Sequence, residues 1–195
     1  MTANQPWSQP AGSYIPIVKI PPTSDELQTA LHMLYEQYKQ GEHVGGQSAF
    51  KYVIYELTGN IYEHSEFTAG YVMAQAYPKK KFMDICFFDN GIAIPGSFKK
   101  HGILFEHDAN AIIDALKGRS TKDIDRGKGL GTSMKVLTEA LGGEALIVSG
   151  AGLIHLDKSK VEGYILTEMH RLKGTLISAR IPFPSEKVNI YEYVE

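Results

Sequence analysis

The chain has 195 residues, a formal net charge of −2 and a single cysteine, Cys86. That length suits one domain with a sizeable core. The near-zero charge gives no pull toward nucleic acid or an anionic membrane, and one cysteine excludes an intrachain disulfide. No apolar run is long enough to span a bilayer, and the first residues lack a charged-then-apolar signal pattern, so a cytoplasmic protein is expected.

Residues 1–12 are polar, with Pro6 and Pro10, and read as a flexible arm ahead of one domain over 13–195. "SYIPIVKIP" predicts a first strand, and Pro16 assigns it to a sheet edge because proline cannot donate to a ladder. "PTSDELQTALHMLYEQYKQ" predicts a helix capped by Ser24 or Thr23, with Leu27, Leu31, Leu34 and Tyr35 on its buried face. A second helix follows over 47–66. Its apolar stripe is Phe50, Val53, Ile54, Leu57 and Ile61; beside it Glu56, Asn60 and His64 recur every fourth residue, forming a polar stripe.

"AGYVMAQAY" and "KFMDICFF" predict two strands joined as a hairpin through "PKKK". Residues 97–126 are long and polar for a connection and read as a cover, with one short helix in "DANAIIDAL". A helix is predicted over 132–141, stopped by Gly142 and Gly143. "EALIVSG" predicts a strand, and "YILTEMHRL" with "TLISARIPF" a closing hairpin; the tail "EKVNIYEYVE" is ambiguous. Strands grouped together, rather than alternating with helices, predict an α+β fold: one mixed, mostly antiparallel sheet with helices on one face.

Three stretches carry chemistry. On the second helix, Glu56 and Asn60 put a carboxylate and an amide about 6 Å apart along the axis. "FFDNGIAIP" puts Asp89 at a strand end, where an acceptor-only carboxylate can take a hydrogen bond from an exocyclic amine, with Gly91 beside it allowing close approach. "RGKGLGTSMKVL" places Gly127, Gly129 and Gly131 just before a helix, where free amides and the helix dipole favour an anion; Lys122 and Lys128 add positive charge. The G-x-x-x-x-G-K-[ST] spacing of a Walker loop is absent. Taken singly, each stretch also has an ordinary structural reading, as a turn or a solvated helix face.

In this order, "ELTGN", "DNGIAIP", "GKGLGT" and the late "KGT" resemble the successive boxes of the GHKL ATPase superfamily, whose domain is the histidine-kinase-like ATPase domain. The resemblance spans residues 56–175. It implies the two-layer Bergerat fold, with ATP held between the helices under a lid. It implies that Asn60 ligates Mg²⁺ and that Glu56 accepts a proton from the group attacking the γ-phosphate. It implies that Asp89, aided by Thr175, reads the adenine amine and that Gly127, Gly129 and Gly131 hold the phosphates, with Lys122 and Lys128 adding charge. Gly91, Ala93, Ile94, Thr121, Leu130 and Thr132 complete the implied nucleotide site. His64 is left between a structural hydrogen bond and a phosphate contact.

Sensor histidine kinases carry asparagine at the position of Glu56, and His32 lacks the acidic residue that follows a phospho-acceptor histidine. "ELTGNIYEH" is closer to the anti-sigma-factor serine kinases of bacterial signalling, although Ala93 stands where those proteins have the second glycine of D-x-G-x-G. Three functions remain open: a serine/threonine protein kinase acting on a regulatory protein, an ATPase conformational switch, or an interaction module with a vestigial ATP site. Glu56 argues against the last, since a vestigial site needs no base. ATP and Mg²⁺ are the expected cofactors. A separate regulatory protein is the expected partner, with a homodimer also open and neither nucleic acid nor membrane involved.

Overall fold

The computed structural model describes residues 14–21, 31–32, 34–36, 38–39, 45–119 and 129–194. The arm at 1–12, the cap at Thr23 and Ser24, and Leu27 lie outside these residues. Strand β1 (Tyr14–Lys19) leads to a helix, α1, of which residues 31–39 other than 33 and 37 are described. Then come α2 (Gln47–His64), β2 (Gly70–Tyr77), β3 (Phe82–Asp89), α3 (Ala93–Lys100), α4 (Asp108–Leu116) and α5 (Gly129–Lys135). A π-helical turn, Val136–Ala140, extends α5, and the chain closes through β4 (Glu144–Gly150), β5 (Gly152–Leu156), β6 (Val161–Ile165) and β7 (Leu172–Pro182).

The seven strands form one sheet in the order β1-β2-β3-β7-β4-β5-β6, and every neighbouring pair runs antiparallel. The fold is α+β, and no parallel pair occurs among the described strands. Strand burial alternates, as a half-covered sheet requires. Val72, Ala74, Ile85, Phe87, Ile147, Ile154, Ile177 and Ala179 point inward and share one core with Phe50, Val53, Leu57 and Ile61 of α2, Ile112 of α4 and Met134 of α5. The apolar stripe of α2 is thus the one that the spacing predicts. Tyr38 of α1 stacks on Phe50 at 4.1 Å between centroids and meets Phe183 edge-on, joining α1 to this core.

β1 sits at the sheet edge, with a register shift across Pro16 between Ile15 and Val18, as the missing proline N–H dictates. Three expectations change. First, the part of the 97–126 span that is described, residues 97–119, is largely helical: the expected helix in "DANAIIDAL" forms as α4, the end of α3 is added to it, and residues 120–126 lie outside the described residues. Phe98, Ala109, Ala111 and Ile112 are buried, and Phe98 packs edge-on to Phe105. Pro95 lies in the first turn of α3, where a missing N–H costs nothing. Second, "GLIHL" forms β5, turning from β4 through Gly150 (φ +62°) and Ala151. Third, the closing hairpin does not form. β7 enters the sheet between β3 and β4, while β6 pairs only with β5 and forms the far edge. β7 buries Ile177, Ala179 and Ile181, which suits an inner strand, whereas β6 is exposed at four of its five residues.

Candidate functional site

Three adjacent strands, β3, β7 and β4, together place a short polar row at one end of the sheet. On the inward face β3 runs Met83, Ile85, Phe87, then Asp89; β4 runs Ala145, Ile147, then Ser149; β7 reaches Thr175 beyond Ile177. Asp89 pairs with Thr175 and Thr175 with Ser149, so one end of an otherwise apolar sheet face ends in a carboxylate and two hydroxyls. Asp89 is 3% exposed and Ser149 fully buried. Ser149 Oγ lies 2.8 Å from Thr175 Oγ1 and accepts the Ile94 N–H at 2.8 Å.

Two glycines hold Asp89 in place. The Gly91 N–H donates to Asp89 Oδ1 at 2.8 Å, and a Cβ at Gly91 would collide with the Ser65 carbonyl oxygen at the end of α2. Gly174, at φ +106°, passes so close over Asp89 that a Cβ would strike its backbone carbonyl. The neighbouring Asn90 is structural. Its side chain accepts the N–H groups of Thr68 and Ala69 and donates to Thr68 Oγ1. In "DNG", then, the aspartate faces the interior, the asparagine makes the turn and the glycine allows the close approach.

From α2, Glu56, Asn60 and His64 face the same space. Burial raises the Glu56 carboxyl above its ordinary range, and the charge of Glu63 adds to this. Burial also raises Asp89, partly offset by hydrogen bonds from Gly91, Ser65 and Thr175. The Asn60 Nδ2 is buried and has no hydrogen-bond partner among the described residues. At the head of α5, a Cβ on Gly129 would lie 2.6 Å from Glu56 Oε2 and 3.7 Å from Asn60 Oδ1.

One cleft gathers eight of the residues selected from sequence: Glu56, Asn60, Asp89, Ala93, Ile94, Gly129, Leu130 and Thr175. Its other walls include Ser65, Phe98 and Ile177. Gly91, the last residue of the DNG turn, lines a neighbouring groove instead, and Gly131 faces the opposite side of α5. A Cβ at Gly131 would meet the Leu116 carbonyl, so this glycine lets α5 pack on α4. Thr132 hydrogen-bonds Tyr52, one turn before Glu56 on α2. Thr121, Lys122, Gly127 and Lys128 lie outside the described residues. Ala93 adopts a left-handed φ of +63°, the conformation for which glycine is suited.

Arg119 is the lining residue that motif reasoning missed. It follows α4 after Gly118 (φ +85°), lines the cleft and pairs with Asp114 at 2.9 Å. Ser149 was missed too, although a serine at the inward position after Ala145 and Ile147 is a readable signal. Among the described residues around the cleft, the carboxylates of Glu56, Glu63 and Asp89 outnumber the guanidinium of Arg119. A bare polyphosphate is therefore repelled by the described walls and would enter with a cation.

Among the described residues no cluster of three or more His, Cys, Asp or Glu could hold a metal, and no helix is long and apolar enough to cross a membrane. No family model matches the chain, and neither the curated proteins nor the solved structures include a match.

Proposed function

We propose that the chain is a Mg²⁺-dependent ATP-binding regulatory protein of the GHKL type, with a Bergerat fold, and that it transfers the γ-phosphate to a serine or threonine of a separate regulatory protein. The observation that carries this reading is the convergence of Glu56, Asn60, Asp89 and Thr175 on one cleft from three separate elements. The four ordered sequence boxes add to it.

The residues fit such a ligand. Asp89 is a buried acceptor held at a fixed position, suited to the adenine amine, with Thr175 and Ser149 supplying hydroxyls beside it. Asn60 has a buried amide that no described residue satisfies and that a ligand would complete. Its oxygen is the hard ligand that Mg²⁺ takes alongside water and phosphate oxygens, and a Mg²⁺ held this way needs no cage of protein carboxylates. When bound, Mg²⁺ would supply charge neutralisation to phosphates entering a cleft rich in carboxylates. Glu56, one helical turn from Asn60, is the base. Its raised proton affinity makes it a better acceptor for the proton of an attacking hydroxyl than an exposed glutamate.

The test is incubation with γ-labelled ATP, Mg²⁺ and proteins captured from the native cell. Label on serine or threonine of a captured protein, lost in Glu56→Gln, is expected. Steady phosphate release with no labelled protein would replace phosphotransfer by a nucleotide-driven switch, and no turnover at all would overturn both.

A further inference from the structure

The helices cover one face of the sheet; the other carries a row of side chains that no described element covers. Tyr71 pairs with Phe88, Phe88 with Leu176, Leu176 with Val148, Val148 with Leu153 and Leu153 with Tyr164. This row runs without a break across six strands, β2-β3-β7-β4-β5-β6. Tyr71, Phe88, Leu176, Val148 and Leu153 each have a buried neighbour on their own strand and so point away from the helices, and Tyr164 shares their face through its pairing with Leu153. Tyr71 is 36% exposed and Tyr164 50%, and Met73 in the next row is 43% exposed. The Tyr71 and Phe88 rings stack at 6.4 Å. A continuous apolar band on an open sheet marks a surface that meets another protein.

The geometry points to a second copy of this chain as the occupant, seated face to face about a two-fold axis that runs along the strands between β7 and β4. The row is close to a palindrome about that line. Reading outward on one side gives Leu176, Phe88, Tyr71; on the other, Val148, Leu153, Tyr164. A two-fold axis there sets Leu176 against Val148 of the second copy and Tyr71 against Tyr164, which is the self-complementarity that an isologous contact requires.

Charge follows the same axis. Two rows away, Arg180 and Glu144 stand opposite each other on β7 and β4, 3.6 Å apart, and Arg180 also binds Asp84 at 2.8 Å. The rotation brings each Arg180 over Glu144 of the second copy, so opposite charges face across the contact. Size is adequate as well. Six strands about 4.8 Å apart and three side-chain rows about 6.8 Å apart give a face of roughly 600 Å², near the roughly 800 Å² per partner of a stable interface. Sheets stacked this way pack about 10 Å apart at a small angle, as in a sandwich. The inference is independent of what the cleft binds.

Light scattering after size exclusion gives the first readout: twice the 21.6 kDa chain mass is expected, falling to the single mass in Tyr164→Glu with the circular dichroism of the fold retained. The second readout fixes the axis. In a Cys86→Ser background, Tyr71→Cys and Tyr164→Cys proteins are treated separately and as a mixture with a thiol-specific bismaleimide whose reach matches the sheet spacing of about 10 Å. A cross-linked dimer in the mixture, and in neither protein alone, is expected; positions 71 and 164 lie about five strand spacings, roughly 24 Å, apart across the face. A wild-type chain that stays monomeric overturns the proposal and leaves the face to a different partner. So does a dimer that survives Tyr164→Glu, or cross-linking as strong in the single-variant samples as in the mixture.

Discussion

Gly129 faces Glu56 so closely that a Cβ there would sit 2.6 Å from the carboxylate oxygen. The obstacle is the tip of a flexible side chain, so the fold can accommodate a methyl by moving the carboxylate. Gly129→Ala should therefore leave stability within about 1 kcal/mol of wild type while lowering kcat at least tenfold, because a small displacement of a base is costly in the transition state. Nucleotide affinity should change little. The contrasting variant is Gly91→Ala, whose methyl would meet the backbone carbonyl of Ser65. It should lose roughly 1–3 kcal/mol of folding stability, read as a lower urea midpoint.

Glu56→Gln separates chemistry from binding. ATP affinity should hold and turnover should vanish, since a base acts mainly in the transition state. The stability effect has a definite sign. Burial raises the Glu56 pKa, so the folded chain holds that proton more tightly than the unfolded chain. The wild type therefore gains stability as pH falls through the folded pKa toward the unfolded value of about 4.3. Above the folded pKa the charged, partly desolvated carboxylate is a liability that glutamine removes. The melting temperature of Glu56→Gln should exceed wild type at pH 8, with the gap closing as pH is lowered. A gap that widens toward acid would show that Glu56 is held by a favourable partner instead.

Ala93 holds a left-handed backbone at φ +63°, which costs a residue with a Cβ about 1–2 kcal/mol. Glycine removes that strain but loses more backbone entropy on folding, by roughly 0.5–1 kcal/mol. Ala93→Gly should come out stabilising by up to about 1 kcal/mol, with an unchanged denaturant slope. A destabilised variant would mean that the alanine methyl contributes packing in the wall of the cleft.

Asp89 was legible in the sequence as a carboxylate at a strand end beside Gly91, and the burial pattern of β3 adds a reason. A charge that follows Met83, Ile85 and Phe87 at period two has to be buried and therefore has to have a use or a partner. The same logic at Ser149 was available and passed over. Periodicity also placed the two faces of α2, because Glu56 and Asn60 differ in phase from the apolar stripe. What the chain order hides is long-range pairing. β7 lies between β3 and β4, although "YILTEMHRL" is its nearest extended neighbour in sequence, and a strand's partners depend on which surfaces still need covering. Pro95 and Gly96 made α3 read as a continuation of the turn, and only packing of Phe98 and Ser97 against the core reveals the helix. Arg119 reaches the cleft through the left-handed turn at Gly118, a direction that spacing along the sequence does not encode.

The central claim is that the cleft binds ATP through Asp89 and, with Mg²⁺, through Asn60. Isothermal titration calorimetry with ATP tests it most directly, using wild type, Asp89→Asn and Asn60→Ala, each with Mg²⁺ and with EDTA. Asp89→Asn loses the acceptor-only carboxylate, and its affinity should fall by on the order of 1–3 kcal/mol under both conditions. EDTA should weaken wild type strongly, because the cleft carboxylates then face an unneutralised polyphosphate. In Asn60→Ala the Mg²⁺ benefit itself should shrink. ATP heats that are absent in wild type, or that are the same in all three proteins with and without Mg²⁺, would contradict the account.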